Sequence, residues 1–147
     1  MKAWQCSGAH RYYIAQDVLY WESHGIFNLD HGKLIAELQD KIHTEYGYNL
    51  NLIDASDGGA ITPEARKWMA HNAAEHRSDR SAAAIFGAGL LVRAGVNLLL
   101  AARYYFSRNE SPFIFVKTEA EAWTYVDEQR RRYRQQLGLL PLAVQPD

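Results

Sequence analysis

Three groups of residues have types and spacings that could do chemistry. The first is Asp54, Ser56 and Asp57, inside Asp54-Ala55-Ser56-Asp57-Gly58-Gly59-Ala60 and directly after an apolar run. Their oxygens suit a hard cation or a polar ligand, but the regular spacing of a calcium loop is missing. Asx-type turns explain the same residues equally well. The second group is Gly87-Ala88-Gly89, with Arg93 just beyond. Glycines between a strand and a helix let backbone N–H groups approach an anion. A dinucleotide fingerprint would need a glycine where Val92 stands, so a tight strand-to-helix turn is the favoured explanation. The third is His71 and His76, five positions apart with Glu75 between them. Neither zinc-protease spacing is met, and solvated histidines are the reading. Ser7, Ser23, Ser56 and Ser81 lack a nucleophile-elbow context. Cys6 is the only cysteine, which excludes an internal disulfide and a Cys-rich metal site. No catalytic residue, metal or cofactor is assigned.

Composition narrows the setting. A chain of 147 residues, 48% hydrophobic and 22% charged, fits one globular domain. The net charge of -1 gives no overall basic field for nucleic acid. The local basic run Arg130-Arg131-Arg132 with Arg134 also suits a helix C-terminus, so no nucleic acid partner is assigned. The first ten residues show no signal-peptide pattern, and a cytoplasmic location is expected. The nearest thing to a membrane span, residues 88–106, is interrupted by Arg93, Asn97 and Arg103. No span is expected.

The elements that must position these residues follow from pattern. Tyr12-Tyr13-Ile14-Ala15 and Val18-Leu19-Tyr20-Trp21, separated by Gln16-Asp17, predict a β-hairpin. Asn28 caps a helix with Leu34, Ile35, Leu38 and Ile42 on one face, stopped by Gly47. Residues 48–54 predict a strand, and residues 54–60 a loop by composition. Thr62-Pro63-Glu64 is a helix start. Residues 75–80 are a connection and residues 81–86 a small-residue strand, which Gly87-Ala88-Gly89 leads into a long apolar helix. A polar loop follows at residues 107–111, and Pro112 opens the strand 113–116. Thr118 and Glu121 form a capping box for the last helix. Residues 1–11 are read as an N-terminal segment, 12–136 as one domain, and 137–147 as a flexible tail. Strands alternating with helices imply an α/β fold: a mostly parallel sheet of about five strands, opened by a hairpin, with four helices packed on it.

Over residues 12–126 the chain resembles the STAS superfamily, the sulphate transporter and anti-sigma-factor antagonist domains. The resemblance is to a bacterial STAS-like branch with kinship to the CRAL-TRIO lipid carriers. It rests on the opening hairpin with His24-Gly25-Ile26-Phe27 and on Leu50, Leu52, Ile53 and Asp54 with their loop. Thr62-Pro63-Glu64-Ala65-Arg66, and Phe115-Val116 followed by Glu119-Ala120-Glu121-Ala122-Trp123, complete it. The resemblance implies a non-catalytic regulatory domain. In antagonists of this kind a serine opening the second helix is phosphorylated. Here Pro63 and Glu64 hold the expected positions and Thr62 lies one position away, so Thr62 is read as a cap and not a switch.

The expected function is therefore binding or regulation, through a protein partner or a small apolar, lipid-like or acidic ligand. The helix at 88–106 carries more apolar residues than one sheet face needs. It is expected to line either a pocket or an interface, with self-association as one outcome. Any small ligand is expected between the loop after Asp54 and the turn after Phe86. Asp54, Ser56, Asp57, Gly87, Gly89 and Arg93 would be its polar contacts, at a point where successive connections leave the sheet toward opposite faces. The alternative is a small enzyme using that crevice.

Overall fold

The computed structural model describes residues 2–75, 80–107 and 113–143. Among them are six strands: β1 (Gln5–Ser7), β2 (His10–Ala15), β3 (Val18–Phe27), β4 (Asn49–Ile61), β5 (Ser81–Phe86) and β6 (Phe113–Val116). Four helices accompany them: α1 (Leu29–Tyr46), α2 (Pro63–Glu75), α3 (Leu90–Ser107) and α4 (Glu119–Gln136). The strands lie in one sheet in chain order. β1, β2 and β3 are antiparallel neighbours; β3 through β6 run parallel.

The hairpin forms as expected, with Tyr13 opposite Tyr20 and Ala15 opposite Val18. Gln16 takes a φ of 56° and so supplies the left-handed residue that a two-residue turn requires. Two expectations change. Gln5–Ser7, read as part of an N-terminal segment, pairs with β2 and makes a sixth strand. Asp54 to Ala60, read as a loop, is the second half of a 13-residue strand. β4 continues because β3 does: His24 pairs with Asp57, Gly25 with Gly58 and Phe27 with Ile61 across two register irregularities. The glycines that suggested a loop serve close approach instead. A Cβ on Gly59 would lie 2.8 Å from the Gly25 carbonyl carbon, and one on Gly58 would lie 3.1 Å from Val92 Cγ2.

Side-chain alternation sorts the core into two layers. Leu19, Trp21, Ile53 and Ile85 face α1, α2 and α3. Val18, Tyr20, Leu50, Leu52, Ala82 and Ala84 face α4, which contributes Ala122, Val126 and Tyr133. Helix ends are set locally. Asn28 Oδ1 accepts from the His31 N–H while the Asn28 N–H donates to His31 Nδ1, a capping box with histidine in the returning role. Thr62 Oγ1 accepts from the Ala65 N–H at 3.2 Å, as a cap should. Thr118 Oγ1 accepts from the Glu121 N–H, but Glu121 reaches one residue further back than expected, to the Lys117 N–H.

The hairpin turn is tied to α4. Asp17, fully buried, accepts from Arg130 Nη2 at 2.7 Å and from the Tyr48 hydroxyl at 2.6 Å. Residues 137–143, part of the expected tail, run back over this region: the Leu139 N–H donates to the Arg134 carbonyl, Arg134 Nε to the Leu140 carbonyl, and Gln16 Nε2 to the Ala143 carbonyl. His76, most of the connection after α2, the loop before β6 with Pro112, and residues 144–147 lie outside the described residues.

Candidate functional site

The six residues expected to line a crevice are brought together only in part. Asp54, Ser56 and Asp57 stand on β4 and not on a loop. Asp54 Oδ1 accepts from the Ser56 N–H at 2.9 Å, and Asp57 turns to His24. Ser56 meets Gly87: a Cβ added there would sit 2.3 Å from Ser56 Oγ, and Gly87 has a φ of 72°. The side chain of Ser56 thus occupies the space that Gly87 was expected to leave. Gly89 has nothing within 4 Å of an added Cβ. Arg93 donates from Nε to the Ala88 carbonyl and places its guanidinium 4.8 Å from the Phe115 ring centre. The topological reason for a crevice also changes. α1, α2 and α3 all cover one face and the strand order never reverses, so the sheet has no switch point there.

The charges at this end of the sheet form a network that sequence reading missed. Arg11 grips Glu22 with two hydrogen bonds, at 2.8 and 3.0 Å. His24 bridges Glu22 Oε1 at 2.6 Å and Asp57 Oδ2 at 2.8 Å. With a carboxylate on each ring nitrogen, His24 is held as imidazolium and its pKa is raised, first by Asp57 and then by Glu22. Glu22 is lowered, chiefly by Arg11. Next to them His10 is buried with its proton fixed by its partners. Nδ1 accepts from the His24 N–H, so Nε2 donates to the Ile26 carbonyl at 3.0 Å. Burial lowers its pKa, and that of His31, whose ring lies 4.2 Å away. These groups satisfy one another, as a locked ionic surface does.

α3 presents two apolar faces. Val92, Val96 and Leu99 are buried on the sheet. On the outer side Leu90 is 89% exposed, Leu91 61% and Leu98 57%, with exposed Ala94 and Ala101 completing the stripe. Beneath the helix lies a cavity of about 130 Å³, bounded by the sheet and by α1, α2 and α3. Its walls are mostly apolar, with Trp21, Asn51 and Arg103 among them. The surplus of apolar residues on this helix was legible in the sequence. A pocket or an interface was expected of it, and the sequence could not choose between them, because a void depends on how neighbouring helices fit.

No helix among the described residues is long and apolar enough to cross a membrane. No family model matches the chain, and no curated protein matches it in sequence. Solved structures are similar in fold, and two of them are informative. One is an uncharacterised protein of the DUF3478 family with a SpoIIAA-like fold, from Shewanella loihica PV-4. It is 15% identical over 86% of this chain and 92% of that one, with a TM-score of 0.53. The other is the anti-sigma factor antagonist SpoIIAA in its unphosphorylated form. It is 9% identical over 84% of this chain and 97% of that one, with a TM-score of 0.51. The likeness is one of fold: the chain has the SpoIIAA-like architecture expected of a STAS-type domain. Neither likeness carries the kinship to CRAL-TRIO carriers.

Proposed function

We propose that this SpoIIAA-like domain is a regulatory binding module that docks a second polypeptide along the outer face of α3, another copy of the chain being the first candidate. The observation that carries this reading is the stripe of Leu90, Leu91, Ala94, Leu98 and Ala101 facing solvent on a helix already anchored by Val92, Val96 and Leu99. Leucines flanking alanines at i, i+4 spacing form a ridge with a shallow centre, a shape that receives another helix. Exposed apolar surface of this kind has a cost in water unless something covers it. SpoIIAA is an anti-sigma factor antagonist, a protein that acts on another protein, and the same mode is proposed for this fold here.

Sedimentation over a wide concentration range tests the reading. Wild-type protein should associate reversibly. Leu91→Glu and Leu98→Glu should be monomeric with unchanged melting, since both side chains are already in water. Leu99 is 8% exposed and is unsuitable for this test. A wild-type protein that stays monomeric at the highest concentrations would overturn self-association.

A further inference from the structure

The basic run on α4 is not used up by the contacts that shape the fold. Arg130 is: it holds buried Asp17 and, through Nη1 at 2.6 Å, Asp127. Arg134, half-buried, is fastened by neutral acceptors. Its Nε donates to the Leu140 carbonyl at 2.6 Å and its Nη1 to the Tyr48 hydroxyl at 3.2 Å; that hydroxyl gives its own hydrogen to Asp17. Exposed Arg131 reaches the Asp127 backbone carbonyl from Nε at 3.4 Å, a long contact. Neither Arg131 nor Arg134 forms an ion pair among the described residues. Both line a groove of about 510 Å³ between α4 and the returning chain at 139–142. The far wall of that groove is pinned in place. The Leu139 N–H donates to the Arg134 carbonyl, and Gln16 Nε2 donates to the Ala143 carbonyl. That wall presents Leu139, Pro141 and Leu142 to the two arginines.

We propose that this groove binds a small organic oxyanion, a carboxylate or phosphate monoester on an apolar body, gripped by Arg131 and Arg134 with its body against Leu139 and Pro141. The charges favour an anion. Three guanidiniums meet two carboxylates here, Asp17 and Asp127, and Arg130 holds both. Arg131 and Arg134 are three positions apart and so are neighbours on the helix, where like charges repel unless an anion lies between them. A guanidinium offers a planar fork of donors that matches the paired oxygens of a carboxylate or phosphate. The size favours a small molecule with a body, not a bare ion, since ligand pockets run to about 300–1,000 Å³. α4 lies on the opposite face of the sheet from α3, so the site is independent of the outer stripe of that helix.

The test is a titration of nitrogen-15-labelled protein, followed at the arginine Nε–H and Leu139 amide resonances. It is run at physiological salt, which screens diffuse attraction to the surface. The probes are phenyl phosphate, benzoate, inorganic phosphate and benzyl alcohol. Phenyl phosphate or benzoate should shift these resonances saturably and bind more tightly than inorganic phosphate or benzyl alcohol. The tighter of the two names the acid, and either supports the proposal. Arg134 also fastens the returning chain, so the variants are made at exposed positions. Arg131→Gln should weaken the tighter probe by about tenfold. Arg131→Lys keeps the charge without the fork and should recover part of that loss. Arg132→Gln removes the same charge from an exposed neighbour outside the groove and should change nothing. Four results overturn the proposal: no anion shifts these resonances at millimolar concentration; benzyl alcohol binds as well as the aryl anions; inorganic phosphate does so; or Arg132→Gln weakens binding as much as Arg131→Gln.

Discussion

At the scale of single residues, His24 has the most definite thermodynamic consequence. Its imidazolium sits between Asp57 and Glu22, and its folded pKa is raised above 6.5. A raised pKa means that the folded state binds the proton more tightly than the unfolded chain does. The stabilisation is therefore fully present below about pH 6.5 and is lost as pH rises through the folded value. His24→Gln should then lie furthest below wild type in melting temperature near pH 5.5, where both carboxylates are still charged. The gap should close as pH rises toward 9. His10 and His31 act in the opposite sense. Their pKa values are lowered by burial, so their contribution is present above 6.5 and is lost as pH falls. Both proteins keep them, so the difference isolates His24 apart from the minor effect its charge has on His10. A gap that stays constant or widens with pH would show that His24 is not held as a cation. The histidine was visible in the sequence inside His24-Gly25-Ile26-Phe27, but its partners were not. Asp57 lies 33 positions away and reaches it only through strand pairing.

At the scale of elements, what the sequence made legible divides by the range of the interaction. Asn28, Thr62 and Thr118 were readable as caps because a cap acts within three residues of itself. Gly58 and Gly59 misled because the same residue type marks a turn or a close approach, and only Gly25 and Val92 decide which. Arg130 shows the same limit. A basic run at a helix end suits the helix dipole, but Arg130 also crosses 113 positions to pair with Asp17 in the hairpin turn. The pair has Asp17 fully buried and Arg130 12% exposed, with Tyr48 hydrogen-bonded to the same carboxylate. Removing one partner strands the other in a low-dielectric setting. Asp17→Ala should cost about 3–5 kcal/mol in chemical denaturation. The double variant Asp17→Asn with Arg130→Met should recover most of that loss, since it leaves no buried charge without a partner and keeps a side-chain oxygen to accept from the Tyr48 hydroxyl. A cost below about 1 kcal/mol for Asp17→Ala would mean that the pair behaves as a surface ion pair.

At the scale of the whole molecule, the unequal layers set where the chain is full and where it is not. One helix, α4, covers the face formed by Tyr20, Leu52, Ala82 and Ala84, and its Ala122 and Val126 are completely buried against them. Three helices must share the other face, and the space between them and the sheet is the cavity of about 130 Å³. The α/β class followed from the alternation of strands and helices in the sequence; the imbalance between faces depends on packing that no local pattern encodes. It can be measured with one substitution made at two adjacent residues of β5. Ala82 is 1% exposed and belongs to the α4 layer, while Ala83 borders the cavity. Ala82→Val adds two methyl groups where there is no room and should destabilise by about 1–3 kcal/mol. Ala83→Val adds the same groups to open space. It should stabilise by about 1 kcal/mol, because filling a void recovers part of the roughly 24 cal/mol lost per Å³ of cavity. Both positions share a strand, so the higher strand propensity of valine applies to each and cannot produce opposite signs. Denaturation midpoints read the two effects directly. Two variants that move in the same direction would show that the faces are packed alike.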